Sequence, residues 1–514
     1  MSKENTNSNK TVVMNLAFSM AALVVINGLH FFISPYIVRT LGVEANGFVS
    51  LANSFLNYAL VITTALNSMA GRFVTIEIHK NNIEKASIYY TSTLITNQLF
   101  ALVFSGITVI FLTNFSRFVN VSVEMECDVR LLFLFVFLNF IIGLFANAFQ
   151  ICYFAKNKLY LSSLRDLMGG LIRATAIIVL FTIFTPRIYY VGIASVLAML
   201  FGITYDFISK RKIASELFFK ISNFRIKSVL EIMVSGLWNS INQIGSILNT
   251  GLDLLISNLL IGPEGMGLLA LSKLMPQMIF IVSATLSNSF SSKIAIHYAK
   301  EDKKGIDSSF EFAVKALAII MTIPIGVFLA FGRNFYVLWQ PTQDPSLLYM
   351  LSLITLIVYS FTISLTVIFQ VYMVENKLRY SSILNLISGG LNVALVLGLL
   401  NFTDLGIFAI PLSSGTAFLV KNLFFDFPFV SKLMKKSPVY LWKLSIKTAF
   451  AVGYIFVIGT ALAHILEIRS WLSLGMNSIL LIGIGVLLNF VFFINKEERT
   501  QIISRIKGRL YVNR

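Results

Sequence analysis

Apolar residues gather in long runs along the chain, and short polar segments separate them. An α-helix needs roughly 20 such residues to cross a hydrocarbon layer of about 30 Å. Continuous apolar runs with short connections favour helices over the alternating strands of a membrane barrel. The pattern therefore predicts an all-α integral membrane protein. About 14 transmembrane helices are expected, at 12–34, 47–71, 87–113, 131–154, 162–184, 188–207, 229–260, 267–290, 311–332, 346–372, 382–401, 404–425, 443–466 and 472–494.

The charge balance supports a membrane protein and argues against a nucleic-acid partner. Charged residues make up 13% of the 514 residues, about half of the ~25% found in soluble domains. The net charge is +17, but most Lys and Arg fall in the two tails and the even-numbered loops. Because positive loops stay in the cytoplasm, this bias predicts cytoplasmic termini. The basic loops are then expected to contact anionic lipid headgroups, and no nucleic-acid partner is expected.

The residue inventory excludes several kinds of chemistry. The four His residues have no metal-ligand spacing on one helix, and no Walker loop of the G-x-x-x-x-G-K-[ST] type occurs. The loops are too short for an ATPase domain. Cys127 and Cys152 are expected near opposite sides of the membrane, so no disulfide is predicted. The sequence thus predicts a protein that is not an enzyme and uses no cofactor or metal.

A shift of 220 residues aligns the chain with itself. It places Leu41–Gly47 on Ile261–Gly267, the loops that open the second and eighth spans. Each copy holds six spans, an even number, so both copies enter the membrane in one orientation, as in transporters with halves related about the membrane normal. We predict a lobe at 1–212, a second at 213–432, and two extra helices with a basic tail at 433–514; a duplicated scaffold without transport is the alternative. Further matches are Lys80 with Lys300, Gln150 with Gln370, Asp206-Phe207 with Asp426-Phe427 and, after a one-residue slip, Asn157-Lys158-Leu159 with Asn376-Lys377-Leu378.

Polar residues follow one face of several predicted spans. Such groups are costly in hydrocarbon, roughly 2–7 kcal/mol when unpaired, so these faces must meet protein or water. We expect spans 1, 2, 7 and 8 to line a hydrated central cavity; hydrogen bonds that join neighbouring helices are the alternative. The stripe of span 7 is Ser235, Asn239, Asn242, Ser246, Asn249, Asp253 and Ser257. The other candidates are Asn27 and His30 in span 1, Asn53, Asn57 and Asn67 in span 2, and Lys273 and Gln277 in span 8.

Charged residues inside predicted spans are the strongest functional candidates. Lys273 and Asp253 lie at similar depth, so adjacent antiparallel helices would pair them. Arg173 lies midway along the fifth span, on one face with Asp166. Arg173 could contact an anion or form an internal pair with Asp166. The pair of Lys273 with Asp253 could be structural or functional. The cations near cytoplasmic helix ends are expected to snorkel and carry no assigned function: Lys315, Lys421, Lys443 and Lys447.

The run SPYIVRTLGVEANG at 34–47 resembles the first loop of bacterial polysaccharide-repeat-unit flippases, the Wzx-type polysaccharide transporters of the MATE-like MOP flippase superfamily. The segments 57–58 and 65–73 are similar to that family, and the likeness is strongest over 12–90. One departure is Asn46, where an aromatic residue is expected before the glycine.

The resemblance implies a flippase in the bacterial cytoplasmic membrane. Its cargo would be a polyprenyl-pyrophosphate-linked oligosaccharide, such as an O-antigen or capsule repeat unit, moved from the cytoplasmic to the outer leaflet by alternating access. Membrane lipids and polysaccharide polymerase machinery would be further partners. Lys273 or Arg173 would attract the pyrophosphate. The residues that would bond sugar hydroxyls are Asn53, Asn57, Asn239, Asn242 and Asn249.

The sequence leaves two other functions open. A cation-coupled multidrug antiporter of the MATE type would need a carboxylate cluster in one lobe, yet Asp166 and Asp253 lie in different predicted lobes. A membrane glycosyltransferase or polymerase would display a catalytic pair in a sizeable outside loop, and the outside loops are short.

Overall fold

The computed structural model describes residues 31–497, 499 and 500, together with Met14, Phe18, Ala21, Ala22, Val25, Ile26, Gly28 and Leu29. The described chain packs as two compact units, one ending at Leu271 and the other beginning at Ser272.

The first unit contains the helices of the first repeat copy, and it also contains the seventh span. A short helix covers Phe115–Phe118, and a π-helical turn, Ile247–Gly251, interrupts the seventh span. The bounds are α1 Phe31–Leu41, α2 Val43–His79, α3 Ile83–Thr113, α4 Glu126–Ala155, α5 Leu159–Ile183, α6 Tyr189–Ile213, and α7 Ile226–Ser246, which continues after the turn as Asp253–Leu260.

The second unit contains most of α8 and all later helices. A second π-helical turn, Lys421–Asp426, interrupts α12 before Phe427–Leu433. Beyond α10 the chain continues as Ile368–Val374. The bounds are α8 Pro263–Ser289 followed by Ser291–Ala299, α9 Lys303–Trp339, α10 Pro345–Thr362, α11 Leu378–Phe402, α12 Ala409–Val420, α13 Tyr440–Ile465 and α14 Trp471–Phe493.

The prediction of an all-α membrane protein is confirmed. Among the described residues there is no strand, and twelve helices are long and apolar enough to cross a membrane. The two other predicted spans are α1, which is described only in part between residues 12 and 30, and α7, which the π-helical turn interrupts. Several helices extend beyond the predicted spans because polar caps prolong them past the apolar runs. Asp302, for example, accepts a hydrogen bond from Gly305 N at 2.9 Å, and this bond together with His297 lowers the pKa of the Asp302 carboxyl below its usual range.

Turn geometry supports the internal repeat. Within the described part of the chain, five non-glycine residues have a positive φ of 52° to 58°, the left-handed conformation that commonly ends a helix. Asn81 and Glu301 are related by the 220-residue shift, and Asn157 and Asn376 by the shift of 219. All five follow helices on the side predicted to be cytoplasmic, and the two pairs show that the copies reverse the chain in the same way after equivalent helices.

The π-helical turn in α12 explains why the shift changes. Before it, Ser195 matches Ser414 at 219 residues; after it, Asp206 matches Asp426 at 220. The turn Lys421–Asp426 lies between these matches and holds one extra residue, since a π-turn is wider than an α-turn. The residues of α12 that follow the turn therefore lie on the same helical face as their equivalents in α6.

Glycines bring helices of the first unit into close contact. A Cβ added at Gly236 of α7 would lie 1.9 Å from Ala65 O of α2. A Cβ added at Gly47 would lie 2.8 Å from Gly267 Cα. Gly47 and Gly267 are equivalent in the repeat, so the first turns of α2 and α8 meet at matching residues.

Two further contacts position the N-terminal end of α2 and the C-terminal end of α7. Asn46, which departs from the expected aromatic, is buried and accepts a hydrogen bond from Ser34 Oγ of α1 at 2.8 Å. Asn120 in the α3–α4 connection exchanges hydrogen bonds with Asn258 of α7 at 2.8 and 2.9 Å. The connection is thereby fixed on α7.

In the second unit, α9 is the central helix. It packs against α10, α13 and α14, so the two helices outside the repeat cover its surface. Gly326 allows α13 to approach, because a Cβ there would lie 2.6 Å from Ile455 Cγ2. The buried Asn489 of α14 donates to Ile319 O and Thr322 Oγ1 of α9, at 2.8 and 2.9 Å. These contacts join α13 and α14 to the second unit.

Candidate functional site

A polar cavity of about 480 Å³ lies inside the first unit. Helices α2, α4, α5 and α6 form its walls, and Ile26 also contacts it. Glycines on α4, α5 and α6 leave the space open. Its polar lining consists of Asn53, Asn139, Asn147, Gln150, Arg165, Asp166, Arg173 and Ser195.

An ion network holds one end of this cavity. Arg165 of α5 donates to Asp166 at 2.9 and 2.5 Å and to Asp206 of α6 at 2.8 Å. Tyr153 of α4 donates its hydroxyl proton to the other oxygen of Asp206 at 2.7 Å. Asp206 is fully buried, so its charge requires these partners. The network connects α4, α5 and α6 through one carboxylate.

Arg173 lies two turns further along α5 and lines the same cavity. It forms no ion pair with any carboxylate in the described part of the chain, and its Nε has no hydrogen-bond partner there. Asp166, the internal partner considered from the sequence, instead pairs with Arg165. Arg173 therefore brings a positive charge to the cavity wall that no described acidic residue compensates.

Amide groups complete the lining. Asn139 Nδ2 donates to Ser195 O at 2.6 Å, and Asn53 Nδ2 donates to Val49 O at 3.0 Å. Asn147 and Gln150 line the cavity without a hydrogen bond to another described residue. Their donors and acceptors face the cavity unused, so a polar guest would find both a cation and free amides.

Other predicted site residues take part in contacts between helices. Asn67 of α2 and Asn97 of α3 form a reciprocal amide pair at 3.0 and 3.3 Å. Asn239 of α7 donates to Ser68 Oγ of α2 at 3.0 Å. Asn249, by contrast, is buried within the π-helical turn and donates to Gly245 O of the same helix at 2.7 Å. For Asn67 and Asn239 the structure thus has the hydrogen bonding between helices that was the alternative to a cavity.

The remaining predicted residues are spread over several elements. Asp253 is buried at the start of the second part of α7, and Asn242 is half-buried earlier on that helix. Lys273 is half-buried in α8 and belongs to the second unit, so its pairing with Asp253 stays a prediction. The exposed residues are Asn57 and Gln277, and the two outside the described residues are Asn27 and His30.

The second unit contains a cavity of about 350 Å³, and Tyr372, Lys421 and Asp426 are among its lining residues. Tyr372 donates to Asp426 at 2.7 Å, as Tyr153 does to Asp206. Lys421 donates to the other carboxylate oxygen of Asp426 at 2.8 Å. The sequence predicted that Lys421 snorkels, and this was wrong, because the π-helical turn directs its ammonium group to a buried carboxylate.

The cation that satisfies the repeated aspartate comes from different helices in the two units. Arg165 lies on α5, whereas Lys421 lies on α12 itself. Sequence reasoning noted the repeated aspartates but not their cations or tyrosines. The sequence signal for these partners is an aspartate that occurs at equivalent positions of both repeat copies within apolar helices. A carboxylate that is buried there needs a positive partner.

Comparison with known proteins agrees with this architecture. Residues 12–287 match the family described as polysaccharide biosynthesis protein. The chain belongs to that family. Among its relatives, the uncharacterized membrane protein EpsK of Bacillus subtilis (strain 168) is 26% identical over 496 residues, which cover 96% of this chain and 98% of EpsK.

Solved structures show which fold this polysaccharide biosynthesis protein has. An inward-facing multidrug resistance MATE family transporter of the MOP superfamily superposes with a TM-score of 0.66 at 14% identity, covering 84% of this chain and 99% of that one. A MOP superfamily transporter from Pyrococcus furiosus Vc1 (DSM3638), described as having a binding pocket of reverse polarity, gives 0.58 at 16% identity, with 83% and 97% covered. The chain therefore has the fold of MATE-like MOP superfamily transporters.

Proposed function

We propose that this protein is a flippase that moves polyprenyl-pyrophosphate-linked oligosaccharides from the cytoplasmic to the outer leaflet of the bacterial cytoplasmic membrane. The observation that carries the proposal is Arg173, a cation in a membrane helix that lines a polar cavity without a described acidic partner. An arginine at mid-membrane costs about 2.5–3.5 kcal/mol even on insertion scales. An anionic guest would offset that cost during transport.

The chemistry of the cavity suits a pyrophosphate. A guanidinium group binds phosphate oxygens through two parallel hydrogen bonds, which a diphosphate accepts well. The amide NH₂ groups of Asn147 and Gln150 have no described partner and are available to donate to the same oxygens. Arg165 is occupied by Asp166 and Asp206, so Arg173 is the cation left for the guest.

The rest of the cargo defines what the protein must do. Each sugar hydroxyl left unpaired in hydrocarbon costs roughly 2–7 kcal/mol, so a glycan needs a polar route. The lipid tail can stay in the bilayer. Alternating access between two pseudo-symmetric lobes would supply such a route, as in other transporters built from repeats.

A leaflet-transfer assay with purified protein in liposomes tests the proposal. Arg173→Ala should slow transfer of a fluorescent lipid-linked oligosaccharide about 10- to 100-fold, the equivalent of losing charge-assisted hydrogen bonds worth about 1.5–3 kcal/mol. Arg173→Lys should fall between, because it keeps the charge but loses the paired geometry. Arg469→Ala removes a cation that is 81% exposed and should have no effect.

Several results would overturn the proposal. Equal transfer by Arg173→Ala and the unaltered protein would remove the pyrophosphate role. Efflux of cytotoxic dyes without oligosaccharide transfer would favour a multidrug antiporter. Longer glycans made from lipid-linked repeat units would favour a polymerase.

A further inference from the structure

The cavity of the second unit differs from that of the first in its charge. Among the described residues that line it, Lys421 and Asp426 are the only charged ones, and they form an ion pair at 2.8 Å. The residue equivalent to Arg173 at the 219-residue shift is Asn392. The first cavity presents a cation that forms no ion pair with a described residue, whereas the two charges of this one pair with each other.

Two amides in this cavity form an ordered pair. Gln370 Nε2 donates to Asn288 Oδ1 at 2.8 Å. This bond leaves Gln370 Oε1 as an acceptor and Asn288 Nδ2 as a donor, and neither bonds to another described residue. Ser287, which is 2% exposed, lines the cavity with a hydroxyl oxygen that has no described partner. The wall thus presents unused donors and acceptors next to each other.

Aromatic rings form another part of the wall. Phe280, Phe369 and Phe418 all line the cavity. Tyr359 fixes two of them, with ring centroids 5.5 Å from Phe280 and 6.5 Å from Phe418. Apolar rings with a few oriented polar groups are typical of sites for small organic molecules, and the volume of about 350 Å³ is within the usual range of about 300–1,000 Å³.

We infer that this cavity is a binding subsite for an uncharged sugar ring. A pyranose has adjacent hydroxyls that both donate and accept, which matches the Gln370–Asn288 pair. It also has a C–H face that packs against aromatic rings. A phosphate would find no uncompensated cation here, and a hydrocarbon chain would leave the amides and Ser287 unpaired. The inference rests on the proposed function, since the sugar would belong to the transported glycan.

Saturation-transfer NMR on the full chain in detergent tests the subsite, because the method detects weak sugar binding. The probes are neutral methyl glycosides of glucose, galactose and N-acetylglucosamine. At least one should give a ring-proton signal that falls about fivefold or more in Asn288→Ala and in Gln370→Ala. Asn288 is exposed, so its replacement should leave the fold intact, and an unchanged melting temperature checks this.

Arg173→Ala is the matched control in the first unit. This variant should still give the glycoside signal, but it should no longer bind inorganic pyrophosphate. If no glycoside gives a signal, or if the signal survives in folded Asn288→Ala and Gln370→Ala proteins, the subsite is wrong even when lipid-linked oligosaccharide transfer is observed. If transfer is absent but the glycoside signal depends on Asn288 and Gln370, the flippase proposal fails and the sugar site remains.

Discussion

The pairing of Arg165 with Asp206 provides the sharpest test of the first unit. Arg165→Leu would leave Asp206 fully buried with only the Tyr153 hydroxyl as partner. Breaking a buried ion pair from one side costs about 3–5 kcal/mol. For a unit of roughly 250 residues, at about 2–4 °C per kcal/mol, the melting temperature should fall by about 6–20 °C.

Two second-site changes should restore the lost stability. Arg165→Leu with Asp206→Asn removes both charges, and an amide can still bond Tyr153, so most of the loss should be recovered. Arg165→Leu with Gly202→Lys copies the second unit, where Leu384 and Lys421 stand at the equivalent places. A side chain at Gly202 would begin 3.6 Å from Arg165 Cδ and one helical turn from Asp206, so a lysine there can reach the carboxylate.

The measurement is the melting temperature of purified protein in detergent, followed by intrinsic fluorescence, with size-exclusion profiles to confirm folding. Single and double variants form a cycle that isolates the coupling of Arg165 with Asp206. A fall of less than about 2 °C for Arg165→Leu, on the same scale of about 2–4 °C per kcal/mol, would refute the argument. So would an absence of recovery in the variant that also carries Asp206→Asn.

Two other contacts yield predictions of the same kind. Gly267→Ala should destabilise the protein by about 1–3 kcal/mol, because its Cβ would lie 2.3 Å from a backbone oxygen. Gly453 faces open space, so Gly453→Ala should be neutral or stabilising. Equal melting temperatures of the two variants would contradict this. For the amide pair of Asn67 and Asn97, a cycle of alanine variants should give a coupling of about 0.6 kcal/mol, the average for hydrogen bonds between membrane helices, and a coupling of zero would show that the pair adds nothing.

Hydropathy alone predicted the helices, because the bilayer imposes one length and one composition on every span. It could not predict the partners of individual polar residues. Asn67 looked like a cavity residue by its helical face, but its hydrogen bond goes to Asn97, thirty positions away on α3. Partner choice of this kind depends on how helices rotate against each other, which periodicity does not specify.

Charges near helix ends presented a related difficulty. Lys421 and Arg165 both lie toward the predicted cytoplasmic side, where topology places many cations whatever their role. Their buried partners, Asp426 and Asp206, follow at distances of 5 and 41 residues. Arg173, in contrast, stood out in the sequence, because its position deep in a span cannot be explained by topology.

The π-helical turn Lys421–Asp426 also determines how the two copies can exchange parts. An extra residue in an α-helix rotates everything after it by about 100°, but the wider turn absorbs that rotation locally. A chimera that replaces α6 by α12 must therefore take the whole turn or none of it. A junction placed inside the turn would direct the aspartate away from its tyrosine, so the duplicated halves are interchangeable only in complete helical segments.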